Sequence, residues 1–152
     1  MGAYALRYNP FMPNIFLSAS ADWTVKLWDH NMEKPILTFD LNSSVGDIAW
    51  SPVSSSIFAA VTADGKIYVF DLNENKYEPI CEQQVIKKAK LTHVCFHKTF
   101  PMLLVGDDKG QVMSFKLSPN LRKLAKVGSR ETQEEKMTRI INTTLGRNEE
   151  SR

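Results

Sequence analysis

Short runs of β-branched, aromatic and small residues, broken by turn chemistry, recur along this chain. Residues 17–20 and 24–28 read as two strands joined by Ala21-Asp22-Trp23, a hairpin. The arrangement returns at residues 57–71 and again at 102–116, shifts of about 42 and about 45 residues that fall within a known repeat period. The aromatic-acidic pair ending the first hairpin, Trp28-Asp29, is matched by Phe70-Asp71 and, in decayed form, by Phe115-Lys116. A strand ending in an aromatic precedes each hairpin, with Tyr8, Trp50 and Phe96 at the same place. A fourth strand follows the first hairpin at 36–39, and a weaker one follows the second at 78–82 or, alternatively, 84–86.

Four short antiparallel strands per unit describe the blade of a β-propeller. The predicted fold is all-β, a partial WD-repeat propeller over residues 1–118, with complete blades at 1–42 and 43–88 and an incomplete third at 89–118. Trp28 is expected to pack between sheets, with Asp22 pinning its turn by accepting backbone N–H groups. Asp29, Trp50, Asp64, Phe70, Asp71, Asp108 and Phe115 are the other expected structural blade residues. Trp23 differs, because a hairpin tip does not demand a large aromatic, so it is the candidate partner contact. Propellers close with typically 4–8 blades, so this chain cannot close a ring. A fragment or truncated isoform of a longer chain is expected, one that dimerises or aggregates alone through exposed edges and faces.

Composition changes this picture little. The chain has 152 residues, 43% hydrophobic and 24% charged, with a formal net charge of +2, which offers no strong field for nucleic acid. No apolar run reaches the roughly 18 residues that would span a bilayer, and the opening residues form no signal segment, so a cytosolic or cytoskeletal home is expected. Cys81 and Cys95 have no CxxC spacing and are expected to be reduced thiols. Up to Ser118 there are 11 Lys/Arg against 12 Asp/Glu, leaving 19 − 11 = 8 against 17 − 12 = 5 beyond it, so residues 119–152 form a basic tail. In that tail Thr132 and Glu135 have capping-box spacing, and Met137, Ile140, Ile141 and Leu145 share one face of a short amphipathic helix at 133–145. Helices this short are marginal alone. The expected state is a frayed tail or one folding back weakly, the alternative a partner-docking helix.

Catalytic and ligand-binding chemistry finds little support. His93, Cys95 and His97 alternate along a strand, yet further zinc ligands have no source, so packing and local hydrogen bonds are expected. Asp107-Asp108-Lys109-Gly110 lacks the spread of oxygen ligands and closing Glu of a calcium loop and reads as a hairpin turn. Lys87-Lys88-Ala89-Lys90 reads as a solvated loop that keeps an edge from pairing. No phosphate-binding glycine loop, nucleophile elbow or His-Glu-x-x-His motif is present, so no catalytic, cofactor or metal residue is assigned.

Asp22-Trp23-Thr24-Val25-Lys26-Leu27-Trp28 resembles the signature of the dynein intermediate chains, whose blades place Trp where most WD repeats have Gly after the turn Asp. Residues 39–52, 58–66 and 116–123 resemble the axonemal outer-arm branch, the intermediate chain 1 type. The likeness runs from about Asn9 to Lys123 and implies the C-terminal WD-repeat part. It also implies a non-catalytic scaffold in ciliary and flagellar motility. Its blades would contact the tail of the motor heavy chain and other dynein arm subunits, including a second intermediate chain, in a microtubule-associated complex, without nucleic acid, membrane or cofactor. Light-chain binding, which that family places in an N-terminal segment, is not carried over to these residues. A generic WD-repeat adaptor, of cytoplasmic dynein or ubiquitin-ligase type, is the alternative.

Overall fold

A computed structural model gives the fold and describes residues 2–86, 88–100, 102–116 and 132–146. Strands β1 (Ala3–Tyr8), β2 (Ile15–Ser20), β3 (Thr24–Asp29) and β4 (Leu37–Asp40) form an antiparallel sheet in chain order. Strands β5 (Val45–Trp50), β6 (Ile57–Thr62), β7 (Lys66–Asp71) and β8 (Cys81–Gln84) repeat it. Strands β9 (Leu91–Phe96), β10 (Met102–Asp107) and β11 (Val112–Lys116) make a third sheet of three strands. The register repeats as well, with Phe16 opposite Trp28, Phe58 opposite Phe70 and Leu103 opposite Phe115. A register shift recurs near the start of the first strand in each sheet, which increases local twist. Strand β8 lies between the two alternatives read from sequence. Its residues are all exposed, so alternation could not mark it.

Packing separates the sheets where periodicity alone could not. Buried and half-buried residues alternate in β2 and β10, whereas every residue of β6 is buried. The middle sheet is covered on both faces. Phe58 and Ala60 join a core with Leu17, Leu27 and Phe39 of the first sheet, while Ala59 and Val61 join Leu103 and Val105 of the third. Phe39, Phe58 and Phe70 pack at ring distances of 4.8 to 5.7 Å across the first seam. At the second seam the backbones nearly touch, since a Cβ on Gly46 would lie 2.2 Å from the Leu91 carbonyl oxygen.

The described part of the tail, residues 132–146, folds back onto the sheets as a helix. Helix α1 (Gln133–Thr144) starts with a complete capping box between Thr132 and Glu135. Its Met137, Ile140 and Ile141 are 0%, 2% and 5% exposed, inside the core shared by the first two sheets. Polar contacts fix its position: the Ser55 backbone N–H donates to Gln133 Oε1 at 2.9 Å, and the Ser55 hydroxyl donates to the Gln133 carbonyl at 2.7 Å. Lys136 Nζ donates to Ser54 Oγ at 2.9 Å and Arg139 Nη2 to Asn73 Oδ1 at 2.8 Å. A helix too short to persist alone is held because the sheet ends offer an apolar surface and matched hydrogen bonds. The boundary at 118–120, Lys87, and the motif at 117–123 lie outside the described residues.

Candidate interaction surface

Three hairpin tips share one construction. At each tip a residue with positive φ follows the turn, namely Trp23 (φ 73°), Gly65 (82°) and Gly110 (85°). Glycine meets that demand without steric cost; a residue with a Cβ does not. Trp23 is 52% exposed at its tip, and its carbonyl accepts the Leu41 N–H at 2.9 Å. A bulky aromatic thus occupies the position least suited to it and presents half its surface to solvent.

The flanking carboxylates organise the turns. Asp22 Oδ1 accepts the Thr24 hydroxyl at 2.6 Å and the Thr24 N–H at 3.1 Å, and the Thr24 hydroxyl is the main cause holding its carboxyl below the ordinary value. Asp64 accepts the Thr62 hydroxyl. In the third hairpin Asp107 fixes the turn, accepting the N–H groups of Lys109 and Gln111 at 2.9 and 2.8 Å. Measured back from the positive-φ glycine, the place of Asp22 and Asp64 belongs to Lys109, so the carboxylate has moved upstream. Asp108 instead ties the turn to β9 by accepting the Lys90 N–H at 3.1 Å. Asp29 and Asp71 close the turns after β3 and β7 by accepting the N–H groups of Asn31 and Asn73, each at 3.0 Å.

The aromatic positions divide by face. Phe70 is stacked on Phe58 between sheets at 4.8 Å, and Phe115 packs against the second core. Trp50 sits edge-on to Phe58 at 5.6 Å, its Nε1 donating to the Arg7 carbonyl at 2.9 Å. Trp28 does not lie between described sheets as expected. It stacks on Phe16 at 6.2 Å and donates to Ser18 Oγ at 2.9 Å, on the face of the first sheet that looks away from the second. Leu6 and Tyr8 extend that face at 56% and 60% exposure. On the far side of the third sheet, His93, Cys95, Leu104, Gly106 and Val112 line an open cleft of about 470 Å³. Asp107 also lines it, and its Oδ2 is buried without a hydrogen-bond partner among the described residues.

Sequence reasoning missed one residue that joins all three sheets. Asp47 accepts Arg7 Nη2 at 3.1 Å, Ile48 N–H at 2.9 Å and Val94 N–H at 3.1 Å. The available signal was a carboxylate set within the apolar run of β5. His97, for which packing and local hydrogen bonds were expected, accepts the N–H groups of Thr99 and Phe100 through Nδ1 at 3.1 and 3.0 Å.

Repeated four-stranded sheets with this turn chemistry define a WD-repeat protein holding part of a β-propeller, and the family described as "WD domain, G-beta repeat" matches residues 3–29 and 33–71. The chain is 63% identical over 129 residues to "Dynein intermediate chain 2, ciliary" of Heliocidaris crassispina, covering 83% of this chain and 18% of that protein. It is 48% identical over 124 residues to the 78 kDa intermediate chain of the flagellar outer arm of Chlamydomonas reinhardtii, covering 80% and 18%. It is 56% identical over 128 residues to "Dynein axonemal intermediate chain 1" of Bos taurus, covering 83% and 18%. The chain is a homologue of the axonemal dynein intermediate chains and spans about 18% of the length of these relatives.

Proposed function

We propose that the chain acts as a non-catalytic scaffold within an axonemal dynein, its blades contacting the tail of the motor heavy chain in ciliary and flagellar motility. The observation that carries this reading is identity of 48% to 63% over four-fifths of the chain to intermediate chains of ciliary and flagellar dyneins. A dynein subunit role places the chain at the cytoskeleton, in the axoneme, beside other arm subunits such as a second intermediate chain. The two outward faces suit the same role. Propeller sheets stack face to face, so further blades of a longer chain would cover Leu6, Tyr8 and Trp28 on one side and supply a donor to Asp107 on the other. Trp23 remains free at the rim, where an exposed aromatic is the residue type that anchors protein interfaces.

The test is co-precipitation of heavy chain from ciliary extract with the full-length protein and its Trp23→Ala variant. Loss of heavy chain with an intact far-UV spectrum supports the contact. Undiminished recovery removes Trp23 from it, and absence of heavy chain from the unmodified protein's precipitate overturns the scaffold reading.

A further inference from the structure

The repeats carry an internal control at the end of each second strand. Ser20, Thr62 and Asp107 hold one register position, opposite Ala3, Val45 and Leu91 of the first strands. In the first two sheets that position is a hydroxyl, and the hydroxyl has its partners. Ser20 Oγ donates to the Gly2 carbonyl at 3.2 Å and accepts the Asp22 N–H at 3.3 Å, while the Thr62 hydroxyl donates to Asp64. The third sheet puts a carboxylate there. Its Oδ1 serves the turn by accepting the N–H groups of Lys109 and Gln111. Its Oδ2 is surplus to the turn, buried without a hydrogen-bond partner among the described residues in a side chain whose residue is 7% exposed.

Asp107 borders the cleft of about 470 Å³ on the far side of the third sheet. Two other titratable groups along it are already engaged: Asp47 accepts Arg7 and two backbone N–H groups, and His93 Nδ1 lies 3.0 Å from Thr92 Oγ1. Leu104, Gly106 and Val112 make the adjoining wall apolar. A carboxylate oxygen in such surroundings demands a hydrogen-bond donor, and a cationic donor meets the demand best. Among the described residues no group of three ligands could hold a metal ion. The chemistry that fits is a charged N–H head on an apolar stem, the form of an arginine side chain. The same pairing stands at the first seam, where Arg7 of one sheet reaches the buried Asp47 of the next.

We propose that the cleft beside Asp107 is a guanidinium-binding site, filled in the longer protein by an arginine on the blade that covers the third sheet. It rests on the reading that further blades cover this face, and it names the contact that fastens one of them. The guanidinium donates an N–H to Asp107 Oδ2, and its alkyl stem lies on Leu104 and Val112. Asp107 thereby joins two blades at this seam as Asp47 joins them at the first. The third sheet carries a carboxylate where its two neighbours carry a hydroxyl because only a carboxylate has an oxygen left for this second task.

The probe is n-butylguanidinium, titrated into the full 152-residue chain and followed by amide chemical shifts. Shifts should concentrate at residues 106–112, and n-butylurea, of similar shape without the charge, should bind about tenfold more weakly. Asp107→Asn keeps an acceptor for Lys109 and Gln111 and should lose about tenfold in affinity for the probe. Asp108→Asn should keep that affinity, because its carboxylate serves the Lys90 N–H instead. Unchanged β6 amide shifts certify that both variants are folded. Absence of binding, equal binding of probe and urea, or equal binding by Asp107→Asn and the unaltered chain overturns the site. The source is tested on the purified full-length protein, where a resident arginine should weaken the probe by about tenfold or more. Binding there as tight as to this chain overturns the covering blade as the source. Heavy chain enters none of these titrations, so their failure is distinct from failure of the scaffold reading.

Discussion

Replacing Asp47 by Ala tests whether the three sheets are joined by an ion pair or by capture of backbone N–H groups. Asp47 is 5% exposed, and its oxygens receive Arg7 of the first sheet, Ile48 of its own strand and Val94 of the third. The Arg7 side chain is 50% exposed, so water screens its charge and the pair contributes about 0–1 kcal/mol. Each N–H donated to a buried carboxylate is a charge-assisted bond of about 1.5–3 kcal/mol, and truncation also strands the buried Val94 donor. Asp47→Ala should therefore cost about 3–5 kcal/mol, Asp47→Asn about 1–2 because one acceptor survives, and Arg7→Ala about 1 or less. Against a total stability of about 5–15 kcal/mol the first change approaches global unfolding. Urea unfolding followed by tryptophan fluorescence is the assay, because the Trp50 indole donates to the Arg7 carbonyl and reports on the seam. If Arg7→Ala shifts the unfolding free energy as far as Asp47→Ala does, the ion pair is the fastener and the argument from backbone capture fails.

At the first hairpin tip, Trp23→Gly and Trp23→Ala both lose the ring but differ in their tolerance of φ 73°, so the glycine variant should be the more stable by about 1 kcal/mol in thermal melts. The other tips supply a contrast of space at equal φ. A Cβ on Gly65 would lie 1.8 Å from the Ile86 carbonyl oxygen while one on Gly110 meets nothing within 4 Å, so Gly65→Ala should disrupt the second sheet whereas Gly110→Ala costs about 1–2 kcal/mol; equal losses in chemical denaturation would contradict this. Asp22 has its carboxyl lowered below 3.8, chiefly by the Thr24 hydroxyl. A lowered folded-state value stabilises above the unfolded value and is lost as pH falls through the folded one, so Asp22→Ala should flatten the acid limb of the stability profile below about pH 4 and leave its slope near neutrality unchanged.

Much of the architecture was legible because it is local. Trp28, Phe70 and Phe115 stand at matched strand positions, and the three-residue spacing of Thr132 to Glu135 is enough to specify a helix start. Local pattern failed where solvent, rather than a core, sets the residue types. The outer strand β8 has no buried residue, so its bounds came from pairing with β7 alone. In the third hairpin, adjacent Asp107 and Asp108 carry the same chemistry, and only the position of Gly110 relative to the strand ends tells which one caps the turn.

By itself, then, the sequence determined the repeating four-stranded unit, the aromatic that marks each hairpin and the capping-box spacing in the tail, since strand alternation, turn chemistry and capping act within a few residues of one another. Tertiary structure alone decided that Phe70 is enclosed while Trp28 faces outward, that Asp47 fastens three sheets, and that α1 seats on Ser55. Those bonds join residues 40, 47 and 78 positions apart. At such separations the partner is chosen by how the twisted sheets stack and where their loops then lie, which no local periodicity records.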